Sequence, residues 1–127
     1  MTEAFDEAAH SLQSAWAAAF ARNDWPALAG LYAPEVQFWG STAPFYTSRT
    51  GVLSYFESLP PGFTAARYAC PHVLPLGPGL FAASGEVIFV RTIDGQEHEL
   101  PFRMTQVLRH TPEGWRIAVH HASPRPA

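Results

Sequence analysis

The chain has 127 residues, 47% of them hydrophobic and 15% charged, with a formal net charge of −3 and a pI near 6.0. That length suits one domain with a real core and is too short for two, and the composition excludes a disordered chain. The weak negative balance gives no electrostatic footing for DNA, RNA or an anionic membrane surface.

Residues 3 to 22 place Phe5, Ala8, Ala9, Leu12, Trp16, Ala19 and Phe20 at three- and four-residue steps, which predicts a long amphipathic first helix. Its acidic start, MTEAFDEAAH, lacks the basic and then apolar run of a signal peptide, so the expected location is cytoplasmic. Asp24 is placed to cap a short second helix carrying Pro26, Leu28 and Leu31, ended by Pro34. Val36 to Gly40 reads as a strand, and the stretch through Phe45 and Tyr46 as a loop or short hairpin over a cavity mouth. Thr50 is the expected cap of a third helix, from about Gly51 to Leu59, which Pro60-Pro61-Gly62 ends. From Ala65 onward the pattern is strands: one through Cys70 to Leu76, then Phe81 to Ile93, Glu97 to His110 and Trp115 to Ala122. Cys70 stands alone, which excludes an intramolecular disulfide and a cysteine zinc site.

Two turns set the expected registers. Asp94-Gly95 is a two-residue hairpin signal, pairing Ile93 with Gln96 and, counting back, Glu86 with Arg103. Thr111-Pro112-Glu113-Gly114 suits a three-residue turn with a bulge, pairing Thr111 with Trp115, Thr105 with His121 and Arg103 with Ser123. Alternation then puts Glu86, Arg103, Thr105, His121 and Ser123 on one face with Ile88, Val90, Val107, Trp115, Ile117 and Val119, and this face is expected to line a pocket. The other face, with Val87, Phe89, Leu100, Phe102, Met104 and Leu108, is also too apolar for water, which argues for a partner subunit and most simply a homodimer.

Several short motifs in order resemble one superfamily: Phe38-Trp39-Gly40, Tyr55-Phe56-Glu57, Pro71-His72, Ile93-Asp94-Gly95, Phe102-Arg103-Met104-Thr105, Gly114-Trp115-Arg116-Ile117 and His120-His121-Ala122-Ser123. The chain resembles the nuclear transport factor 2-like (SnoaL-like) superfamily, nearest to bacterial relatives of the calcium/calmodulin-dependent kinase II association domain. The resemblance spans nearly the whole chain and implies one α+β domain over 1–127. Its implied shape is a cone, with N-terminal helices packed on a strongly curved antiparallel sheet, a pocket between them and a dimer through the sheet's outer face. Ketosteroid isomerase, scytalone dehydratase, polyketide cyclases and pure binding proteins share that fold, so function must be argued from the site.

Glu86 and His121 are the candidate acid–base groups, with Arg103 tuning the Glu86 carboxylate, although a cross-strand ion pair and a hydrogen-bonded histidine explain the same residues. Arg103, Thr105, Ser123, Trp39, Tyr46, Tyr55 and His72 are the candidate ligand contacts. His120 is expected on the opposite face, at an interface or surface. No HxxxH, HxH or glycine-rich phosphate loop occurs, so neither a metal nor a cofactor is expected. Three functions fit: a dimeric small-molecule-binding domain with an apolar, aromatic-lined pocket; a cofactor-independent isomerase, dehydratase or cyclase on a small carbonyl or polyketide-like substrate; and an oligomerisation module without ligand.

Overall fold

The computed structural model describes residues 2–42 and 44–127, with side chains from Ala4 onward. Helix α1 (Thr2–Ala21) buries the face read from the sequence, from Phe5 at 6% exposure through Ala9, Leu12 and Trp16 to Phe20 at 2%. Asp24 caps α2 (Trp25–Ala29) by accepting the Ala27 amide at 3.2 Å. The helix stops well before Pro34, which lies inside strand β1 (Tyr32–Trp39). Phe45 and Tyr46 form the two-residue strand β2 against Trp39 and Phe38. The cap of α3 (Arg49–Glu57) is Ser48 rather than Thr50, its hydroxyl accepting the Gly51 amide.

The remaining strands are β3 (Phe63–Tyr68), β4 (His72–Gly77), β5 (Leu80–Ile93), β6 (Gln96–Thr111) and β7 (Gly114–Pro124). They join β1 and β2 in one seven-stranded sheet of order β2-β1-β7-β6-β5-β3, with β4 also on β5. The expected strand from Ala65 to Leu76 is thus two strands, β3 on the C-terminal half of β5 and β4 on its N-terminal half. Proline at 71 breaks the ladder between them. The sheet is antiparallel except where β1 runs parallel to β7.

The β5–β6 register is the expected one, with Ile93 opposite Gln96 and Glu86 opposite Arg103. Asp94 and Gly95 both take positive φ, 52° and 78°, as a tight hairpin of the right twist requires. At the second turn Thr111 pairs with Gly114, so the loop has two residues rather than three. A bulge at Ala118 inserts the missing residue: Leu108 faces Ile117, but Val107 faces Val119. Beyond it Thr105 meets His121 and Arg103 meets Ser123 as expected, because the two one-residue changes cancel. Before it, Trp115 and Ile117 move to the other face, where Trp115 packs on Phe5 and Phe81.

The orientation of the sheet is the main correction. Val87, Phe89, Met104 and Leu108 are buried against the helices, and Arg103, Thr105 and Glu86 are exposed on the far side. Register shows which residues share a face, but not which face the helices cover. Trp16 and Phe20 settle that, since each lies about 5–6 Å from Phe89 by ring centroid, at 6.0 and 5.2 Å. The Val87 to Leu108 face therefore cannot be a dimer surface.

Candidate functional site

Between α1, α3 and the helix-facing side of the sheet lies a cavity of about 70 Å³. Trp16 and Phe20 come from α1, Tyr55 and Phe56 from α3, Phe38 from β1, Phe89 from β5, Phe102 and Met104 from β6, and His120 and Ala122 from β7. The cavity has room for about two waters, at the ~30 Å³ each takes in the liquid, and a ring-sized ligand requires its walls to give. No carboxylate, lysine or arginine lines it among the described residues.

Its polar groups sit at two ends. At one, Gly40 lets the Tyr55 ring lie on the backbone, since a Cβ there would fall 2.5 Å from Tyr55 Cζ. The Tyr55 hydroxyl accepts the Ser41 amide at 3.2 Å and bonds the Ser41 hydroxyl at 3.1 Å, tying the loop after β1 to α3. At the other end is His120, 3% exposed and stacked on Phe38 at 4.4 Å. Burial first, and the neighbouring His121 second, lower its pKa to about 3, so the ring is neutral at physiological pH. Behind it, Tyr32 receives the Trp16 indole N–H at 2.9 Å and lies 3.1 Å from His120 Nδ1. Burial pushes the Tyr32 hydroxyl well above the usual phenol range, which keeps it protonated.

Of the residues expected at the site, only Tyr55 lines this cavity. Glu86, Arg103, Thr105, His121, Ser123 and His72 are brought together, but in an open depression on the outer face, with Cys70 and Ser84. Glu86 is paired there with Arg125 at 3.2 Å and not with Arg103. Ser84 and Thr105 share a hydrogen bond of 3.1 Å. Trp39 is also on the outer side, 51% exposed beside Phe45 and His121. Tyr46 packs half-buried on Phe38 and Tyr55 behind the cavity wall. Of the expected apolar walls, Ile88 and Val107 belong to the outer face.

His120 is the functional candidate that the sequence reading turned the wrong way. The signal was present: Gln106 and His120 are cross-strand partners on the more apolar face, and a polar pair there has to be hydrogen-bonded internally.

The fold is an α+β domain with its N-terminal helices packed on a large, mostly antiparallel sheet. A family model described as SnoaL-like domain matches residues 10–127, and the chain belongs to that family. Solved structures carry the same fold. A candidate calcium/calmodulin-dependent protein kinase II association domain from Xanthomonas campestris is 24% identical, with a TM-score of 0.82 over 93% of this chain and 86% of that one. A candidate dehydratase of the NTF2-like family from Streptomyces avermitilis is 21% identical, with a TM-score of 0.82 over 100% of both chains. A ketosteroid isomerase-like protein from Erwinia carotovora atroseptica is 17% identical, with a TM-score of 0.81 over 95% of this chain and 96% of that one. No curated protein matches the chain. No helix among the described residues is long and apolar enough to cross a membrane.

Proposed function

We propose that this chain is a homodimeric small-molecule-binding domain whose ligand sits in the aromatic cavity between α1 and the sheet. The observation that carries the reading is a cavity in a close-packed aromatic core with a neutral histidine in its wall. A purely structural module would gain stability by filling that space with side chains. The lack of a lining carboxylate, and the position of Glu86 and His121 on the other face, favour binding over acid–base turnover.

The dimer reading now rests on the outer face. Across four strands Leu74, Ala82, Val107 and Val119 form one apolar row by register. The next row runs His72, Ser84, Thr105, His121 and Trp39. Leu74 is 59% exposed and Val119 37%, and such a band is a natural surface for a second copy.

The test of the pocket is to fill it. Ala122 is buried in the cavity wall, so Ala122→Phe should abolish binding of small cyclic compounds found by thermal shift, at a stability cost of about 1–3 kcal/mol. Unchanged binding in that variant would move the ligand elsewhere, and a wild type that binds nothing would leave the oligomerisation module.

A further inference from the structure

The hydrogen bonds behind His120 decide what its exposed edge can recognise. An indole nitrogen only donates, so Trp16 fixes the Tyr32 oxygen as acceptor in their 2.9 Å bond. The single Tyr32 proton is then free for its other partner, His120 Nδ1 at 3.1 Å. The Gln106 amide nitrogen approaches the same Nδ1 at 3.4 Å. With donors on Nδ1, the neutral ring carries its own proton on Nε2. Tyr32 and Gln106 do not line the cavity and His120 does, so the Nδ1 edge faces away and the Nε2 edge faces in. Nε2 has no protein partner among the described residues.

We propose that the pocket selects neutral carbonyl compounds, the carbonyl oxygen accepting from His120 Nε2–H, with Tyr32 as the positioning residue that holds the proton on that nitrogen. This rests on the cavity being the ligand site. A hydrocarbon of the same shape leaves the buried N–H unpaired. A carboxylate would enter an aromatic space with no cation to meet it. An alcohol can accept from His120 but brings a proton of its own, which must also find an acceptor.

The experiment compares four ligands of equal heavy-atom number by NMR titration: cyclopentanone, cyclopentanol, methylcyclopentane and cyclopropanecarboxylate. Cyclopentanone should bind at least tenfold more tightly than methylcyclopentane and the carboxylate, and His120→Phe should erase that preference while keeping hydrocarbon binding. In parallel, ¹⁵N shifts of the His120 ring should show Nε2 protonated in the wild type and a mixture of tautomers in Tyr32→Phe. Trp16→Phe combined with Tyr32→Phe serves if the orphaned indole N–H unfolds the single variant. Equal affinity for ketone and hydrocarbon, tighter binding of the carboxylate, or a wild-type ring protonated on Nδ1 would overturn the proposal while the cavity still binds. Failure of all four ligands would overturn it together with the cavity reading.

Discussion

Acidification should weaken this protein through His120 in a way that can be calculated and isolated. The folded ring stays neutral down to about pH 3, whereas the unfolded ring takes a proton below its ordinary value of 6.5. Between those limits the unfolded state binds more protons, so stability is complete above about pH 6.5 and falls as the pH drops towards 3. Each pH unit in the middle of that window costs about 1.4 kcal/mol, so the drop from pH 5.5 to 4 removes about 2 kcal/mol on account of this one group. A reference variant that lacks only this histidine cancels every contribution the two proteins share. His120→Phe does so, since phenylalanine keeps the stack on Phe38. Losing the acceptor for Tyr32 lowers its stability by about 1–3 kcal/mol at every pH. In urea unfolding from pH 4 to 7, wild-type stability should rise relative to the variant with a slope difference of one proton up to about pH 6.5 and level off above it. Parallel curves would refute the claim that His120 is buried neutral.

Gly40→Ala should displace the Tyr55 ring, break its bonds to Ser41 and destabilise the fold by about 1–3 kcal/mol; adding Tyr55→Leu should recover part of that loss in a double-mutant cycle. Val119→Glu with Trp39→Asp should convert the dimer to a folded monomer in sedimentation, and a wild-type monomer at micromolar concentration would remove the dimer reading. Arg103→Met should leave ligand binding in the cavity unchanged, because Arg103 projects from the opposite face; a large loss of affinity in titration would restore the outer depression as the site. Glu86→Gln should change stability by no more than about 1 kcal/mol, the usual worth of an exposed pair such as Glu86–Arg125, and chemical denaturation reads this directly.

The sequence by itself determined what is local. The apolar stripe from Phe5 to Phe20 can be buried only as a helix, and Asp94-Gly95 can turn only tightly, which fixes Glu86 opposite Arg103. Even the expected neighbours of His121 were right, although two local deviations, the shorter turn at Thr111 and the bulge at Ala118, had to offset each other for that to hold. What the tertiary structure decided is the side on which everything acts. Strand alternation is symmetric between faces, so pairing alone leaves Arg103 as able to point at the helices as Met104. Aromatic contacts from residues far away in the chain, Trp16 and Phe20 against Phe89, break that symmetry and send Glu86, Arg103 and His121 outward. The same contacts seat His120 behind Phe38 and beside Tyr32, 88 residues earlier in the chain. Burial, the larger cause of its neutral state, is set by those distant contacts, and only the smaller push from His121 stands beside it in the sequence.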